Sequence, residues 1–241
     1  MNESPVKQTD TRGGTAISEP EQYRPFLRRR GRITRGQQRA LESLSARYCV
    51  DVTHLTSIDA TLFGRAAPVG LEIGFGMGHA LLDWACQAPE WNLLGIEVYQ
   101  PGIGALLLGV ERLEIDNVRV IESPAEVALA RWIAEASLDE VRIFFPDPWP
   151  KKRHHKRRLL QPDFAALLCS RLRPGGRLLL ATDWEPYAHW MYTVLEQTRG
   201  LINVWETQFG PRAEERPITN FEARGQRLGH AVWDLEYRRE S

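Results

Sequence analysis

The chain has 241 residues, 31 basic against 31 acidic side chains for a formal charge of zero, and 43% apolar residues. That length accommodates one large α/β domain with appendages, and no apolar run is long enough to cross a membrane. A neutral total leaves any affinity for an acidic partner to the local partition of charge, and three scattered cysteines (Cys49, Cys86 and Cys169) argue against zinc or a disulfide framework and for a reducing, cytoplasmic setting.

Residues 1–20 are polar and aperiodic, without a basic segment leading into an apolar one, so they read as a disordered tail and not as a secretory signal. Residues 21–67 read as a basic extension packing on a core domain of 68–241. Arg24 to Arg39 carries seven arginines and no acid. Phe26, Leu27 and Ile33 interrupt the run, which suits a segment that packs while offering guanidinium forks to phosphate oxygens. Such a run is otherwise a solvated face or a disordered arm. Residues 37–47 read as a helix, and 48–67 as an irregular link.

The core opens at Pro68-Val-Gly-Leu-Glu-Ile-Gly-Phe-Gly-Met-Gly-His79. An apolar run ends in Gly74, Gly76 and Gly78, and Leu81, Trp84, Ala85 and Ala88 follow at helical spacing. Strand, glycine turn and helix begin a βαβ nucleotide-binding unit. His79 stands where a dinucleotide fingerprint wants its last glycine, and Glu72 lies inside the apolar run, where a carboxylate is costly without a partner. A carboxylate there repels pyrophosphate and suits a cationic ligand free of phosphate, such as S-adenosylmethionine. Without further support the same glycines make only a tight turn. The support is Asn92 to Val98, a second buried strand ending in Glu97, placed to accept ribose hydroxyls. Together these residues resemble the class I methyltransferases.

Further along, 101–114 reads as a helix with Pro101 in its first turn, 118–121 as a strand, 126–136 as a helix and 141–145 as the fourth strand. Pro174-Gly175-Gly176 marks a turn before a strand at 178–181. Tyr187, Trp190, Met191, Val194 and Leu195 share a helical face, and Trp233, Leu235 and Tyr237 alternate as in a strand. The expected fold is α/β: a doubly wound, mostly parallel seven-stranded sheet with helices on both faces and an antiparallel last strand.

The fourth strand runs into Phe144-Phe-Pro-Asp-Pro-Trp-Pro-Lys-Lys-Arg-His-His-Lys-Arg-Arg158. Its three prolines fix a stiff path around Asp147, since a residue before proline is pushed out of the α region. An Asp between prolines is commonly a turn residue. At a strand end beside a cofactor turn, with a cationic stretch following, it becomes a candidate reaction centre.

Pro146 to Arg158 resembles the signature of the bacterial tRNA (guanine-N7)-methyltransferases. Arg28 to Gln37 is similar to that family's N-terminal basic motif, and Thr182-Asp183-Trp184 and Thr219 to Gly225 are similar to its later substrate-side motifs. The resemblance implies S-adenosylmethionine as cofactor, tRNA as substrate and guanine 46 of the variable loop as target. It further implies that Glu72, Gly74, Gly76, Glu97 and Asp147 form the cofactor site, with Asp147 also catalytic. Lys151, Asp183, Thr219, Asn220, Phe221 and Glu222 would meet the substrate guanosine. No metal and no membrane is implied, and a monomer is expected. The family's usual adenine-contacting Asp is replaced here by Glu122-Ser123-Pro124-Ala125, which passes that contact to Ser123, Glu122 or the Ala125 backbone. Thr219 and Glu222 also fit a helix capping box. Rival readings are an exocyclic-amine methyltransferase, whose Asn/Asp-Pro-Pro-aromatic loop lacks the basic tail, and a non-catalytic RNA-binding module on the same fold.

Overall fold

A computed structural model describes residues 31–53, 57–58, 60–213, 216 and 231–241. The tail at 1–20, Arg24 to Arg30 and the Thr219–Glu222 segment lie outside the described residues. Among the described residues seven strands form one sheet: β1 (Val69–Ile73), β2 (Asn92–Glu97), β3 (Val118–Glu122), β4 (Leu138–Phe144), β5 (Leu172–Thr182), β6 (Leu201–Asn203) and β7 (Trp233–Arg239). Their order is β3-β2-β1-β4-β5-β7-β6, with β7 antiparallel to both its neighbours and the other pairs parallel. Strand order therefore reverses between β1 and β4, the point where an open parallel sheet holds ligands beyond its carboxyl ends.

Helices cover both faces: α1 (Arg35–Tyr48), α2 (His79–Gln87), α3 (Gln100–Arg112), α4 (Ala125–Arg131), α5 (Pro162–Arg171) and α6 (Glu185–Glu196). Side chains alternate along a strand, so Leu71 and Ile73 of β1 join Leu94, Ile96, Ile121, Val141 and Ile143 in the core beneath α4, α5 and α6. Leu93, Val118 and Val120 point the other way and pack with α1, α2 and α3. Helix α1 starts with a capping box: the Thr34 hydroxyl accepts from Gln37 N, and the Gln37 side chain accepts from Thr34 N. It lies so close to α3 that a Cβ on Gly104 would stand 2.8 Å from the Gln37 Cβ.

Five elements differ from the sequence expectation. Helix α4 ends at Arg131 instead of 136, because Ile133 bridges to Ile58 and Ala136 turns to φ 51°. Strand β4 stops at Phe144, as Phe145 takes φ 52°. Strand β5 begins at Leu172, opposite Leu138; the Pro-Gly-Gly turn interrupts its register before pairing resumes at Arg177. Helix α5 and the three-residue β6, which have no counterpart among the expected elements, complete the fold.

Candidate active site

Glu72 projects from β1 toward the α2 side, between Gly95 of β2 and Arg142 of β4. It is 3% exposed, and among the described residues its Oε2 finds no hydrogen-bond partner. Burial pushes its carboxyl up to about 8; Arg142 opposes that shift, while Glu97 and Asp83 add to it. A buried carboxyl with an unsatisfied oxygen is destabilising on its own and is relieved by a cationic group.

The glycine turn follows immediately. Gly74 and Gly76 have φ of 70° and 57°, and a Cβ on either would meet nothing within 4 Å, so the space before this backbone is open. Gly102 at the start of α3 serves another need: a Cβ there would lie 2.0 Å from the Gly76 carbonyl oxygen. The helix reaches the turn only because residue 102 lacks a side chain.

Glu97, at the end of β2, fastens this region. Its Oε2 accepts from Gly76 N at 2.9 Å, and Oε1 accepts from Val98 N and Tyr99 N at 2.7 and 3.0 Å. Of about four acceptor positions on a carboxylate, three are used, leaving one on Oε2. A Cβ on Gly31 would stand 2.1 Å from the Tyr99 hydroxyl, so the basic N-terminal stretch passes beside this strand end. At the end of β3, Glu122 is exposed and accepts from Gln100 Nε2, whereas the Ser123 hydroxyl is buried and donates to the Pro124 carbonyl.

Asp147 leaves the end of β4, half-buried, in a loop held from both sides. Phe145 N donates to the Ala181 carbonyl, and Phe145 and Trp149 flank the Pro-Asp-Pro core with φ of 52° and 44°. Arg158 secures the loop from below: its Nε donates to the Pro148 carbonyl at 2.9 Å, and its guanidinium covers the Tyr187 ring. Arg158 is buried, which corrects its place in the cationic stretch. Arg157 covers the Trp149 ring, and Lys151, Lys152, Arg153 and Lys156 are exposed on or beside the 3-10 turn Lys152–Arg157. Desolvation first, and then the charges of Arg157, Arg153 and Lys151, hold the His154 imidazolium pKa below its ordinary value. Asp183 is half-buried just past β5, next in the sheet to β4, and Trp184 beside it is exposed.

The ends of β2, β1, β4 and β5 thus set Glu97, Glu72 with the glycine turn, Asp147 and Asp183 side by side across the switch point. The sequence pattern did not disclose the partners beneath them. Arg142 bonds Glu140 at 2.6 Å and lies 3.5 Å over the Trp84 ring; Arg177 links Glu140 to Glu236. Alternating charged residues in β4 were the available signal.

Solved structures share this architecture. The 16S rRNA methyltransferase KamB matches with a TM-score of 0.55 at 14% identity over 80% of this chain and 99% of its own. A 16S rRNA (adenine(1408)-N(1))-methyltransferase from Catenulisporales acidiphilia, solved with SAM, matches with a TM-score of 0.53 at 17% identity over 76% and 90%. Fold, glycine turn and strand-end acids define a class I, S-adenosylmethionine-dependent methyltransferase. A family model described as "Putative methyltransferase" matches residues 66–235. The tRNA (guanine-N(7)-)-methyltransferase of Pseudomonas savastanoi pv. phaseolicola is 51% identical over 88% of this chain and 87% of its own, and that of Pseudomonas fluorescens 47% identical over 96% and 98%. The chain belongs to the tRNA (guanine-N7)-methyltransferase family.

Proposed function

We propose that the chain methylates N7 of guanine in tRNA, and that its target is guanine 46 of the variable loop. The observation that carries this reading is the half-buried Asp147, fixed between prolines beside the Glu72 and Gly74–Gly76 turn, with exposed cationic residues leading away from it. S-adenosylmethionine supplies an electrophilic methyl group when bound. Glu72 would face its cationic end, the open Gly74 and Gly76 backbone would line it, and Glu97 would take a ribose hydroxyl.

Guanine N7 has a free lone pair, so no proton need be removed before attack. Catalysis is then mostly alignment of the nucleophile with the methyl carbon and its leaving sulfur. Asp147 would stabilise positive charge arriving on the guanine ring, an interaction that grows as the bond forms. Lys151 and Asp183, with Thr219, Asn220, Phe221 and Glu222, would hold the guanosine, extruded from its tertiary pairing in folded tRNA. Exposed Lys152, Arg153 and Lys156, with the N-terminal arginines, would supply phosphate contacts and affinity, while the pocket chooses the base.

The test is mass-spectrometric nucleoside analysis of unmodified tRNA after incubation with chain and cofactor, followed by mapping of the modified position. The expected product is 7-methylguanosine at position 46. A methylated adenine, or no product with cofactor bound, would overturn the reading.

A further inference from the structure

Arg216 is 1% exposed, and methyl transfer as described makes no use of it. Its Nε and Nη2 donate to the two carboxylate oxygens of Asp234 at 2.8 and 3.1 Å. Asp234 is itself buried on β7, where it stands opposite Ala181 of β5. Ala181 in turn stands opposite Phe144 of β4. Phe144, Ala181 and Asp234 therefore make one row across three strands, with only a methyl group at its centre. The Arg216 guanidinium, anchored at one end of the row, lies over the Phe145 ring at the other, 5.4 Å from its centroid. Phe145 is the residue in the left-handed region whose N–H donates to the Ala181 carbonyl, two positions before Asp147.

A buried ion pair adds little net stability over apolar side chains of the same volume, because both charges must be desolvated. Its distinct contribution is geometric: a two-point fork fixes where the guanidinium sits, and with it the cation that lies over the ring. A non-glycine residue at φ 52° is strained and persists only where its surroundings hold it. Arg216 also stands three positions before Thr219, at the head of the segment proposed to meet the guanosine.

We propose that Arg216, oriented by Asp234, is a positioning residue for Asp147. It clamps Phe145 in the turn that leaves β4 and so sets the direction in which the Asp147 carboxylate is presented. This rests on the catalytic role proposed for Asp147.

The test is a double-mutant cycle read by single-turnover methylation at saturating cofactor and tRNA. Arg216→Lys keeps the charge but loses the fork. It should slow the wild-type chain by about tenfold to a hundredfold, the scale of a small misplacement of a reacting group. Affinities for S-adenosylmethionine and tRNA should stay within about twofold, and in an Asp147→Asn background the same change should cost no more than about twofold. A wild-type rate for Arg216→Lys, or an equal loss in both backgrounds, overturns the proposal. If Asp147→Asn alone keeps the wild-type rate, the role of Asp147 fails and the clamp with it. If only Arg216→Lys is without effect, the clamp alone fails. Should thermal melting show that Arg216→Lys does not fold, Phe145→Leu carries the same cycle. It removes the ring beneath the guanidinium without stranding a charge, and an unchanged rate there overturns the proposal equally.

Discussion

Glu72 and Arg142 stand opposite each other across the β1–β4 register, both buried, yet Arg142 is turned to Glu140 and the Trp84 ring. Glu72 Oε2 is left without a hydrogen-bond partner among the described residues. The sheet thus holds a carboxyl whose charged form is disfavoured.

Binding of the cationic cofactor should therefore release a proton. With the Glu72 carboxyl at about 8 in the free chain, a bound sulfonium and ammonium draw it down toward the ordinary carboxylate range. At pH 7, calorimetric titration in buffers of different ionisation enthalpy should show about one proton released per cofactor, with affinity rising as pH approaches 8. Arg142, Glu97 and Asp83 are the charged groups that bear on this site, so the control is Glu72→Gln, for which buffer dependence should vanish. Buffer-independent heats for the unaltered chain would contradict this.

The same group sets a stability profile for the free chain. A carboxyl raised from 4.5 to about 8 on folding means that the folded state binds more protons between those values. Its contribution to stability is fully present below about pH 4.5 and is lost as pH rises through about 8. Urea midpoints of the free chain should fall across that window relative to Glu72→Gln, and parallel profiles for the two would refute the assignment.

Glu97, proposed to take a ribose hydroxyl, also fastens the glycine turn, so Glu97→Ala should do more than remove that contact. Loss of charge-assisted bonds predicts cofactor binding weaker by about 1.5–3 kcal/mol. Gly76, Val98 and Tyr99 N–H groups also lose their acceptor, and hydrogen exchange there should quicken in the free chain. Slower or unchanged exchange would show that the turn stands without Glu97.

The basic stretch divides into two kinds of arginine and lysine. Exchanging exposed Lys152, Arg153 and Lys156 for Ala should leave the melting temperature alone and flatten the salt dependence of tRNA binding by up to about three units of slope. Arg158→Ala strands the Pro148 carbonyl and uncovers Tyr187, so it should cost about 1.5–3 kcal/mol of stability and leave the salt slope unchanged. Equal salt effects from both would erase the distinction.

That division was closed to the sequence. Four glycine-turn and strand-end features, from Glu72 to Glu97, were legible because strand, turn and helix are local and each residue's type states its conformational need. Asp147 was legible because its prolines are its neighbours. Arg158 was not: charge is written in the chain, but burial depends on Tyr187 and Pro148 arriving from elsewhere. Arg216 and Asp234 are 18 positions apart, and nothing local in the chain announces that they meet. Helix α4 follows the same lesson, cut short by Ile58, a residue far back in the chain.

Asp147 is proposed to act on the charge arriving at guanine. Asp147→Asn keeps the size of the side chain and one acceptor while removing its charge, and the proline-held loop stays intact. The decisive measurement is single-turnover methylation of unmodified tRNA, with S-adenosylmethionine raised until the rate stops changing. The expected plateau lies about a hundredfold to a thousandfold below that of the unaltered chain, with tRNA affinity nearly unchanged. A plateau at the unaltered rate would mean that Asp147 only orients the cofactor, and would contradict the catalytic role assigned to it.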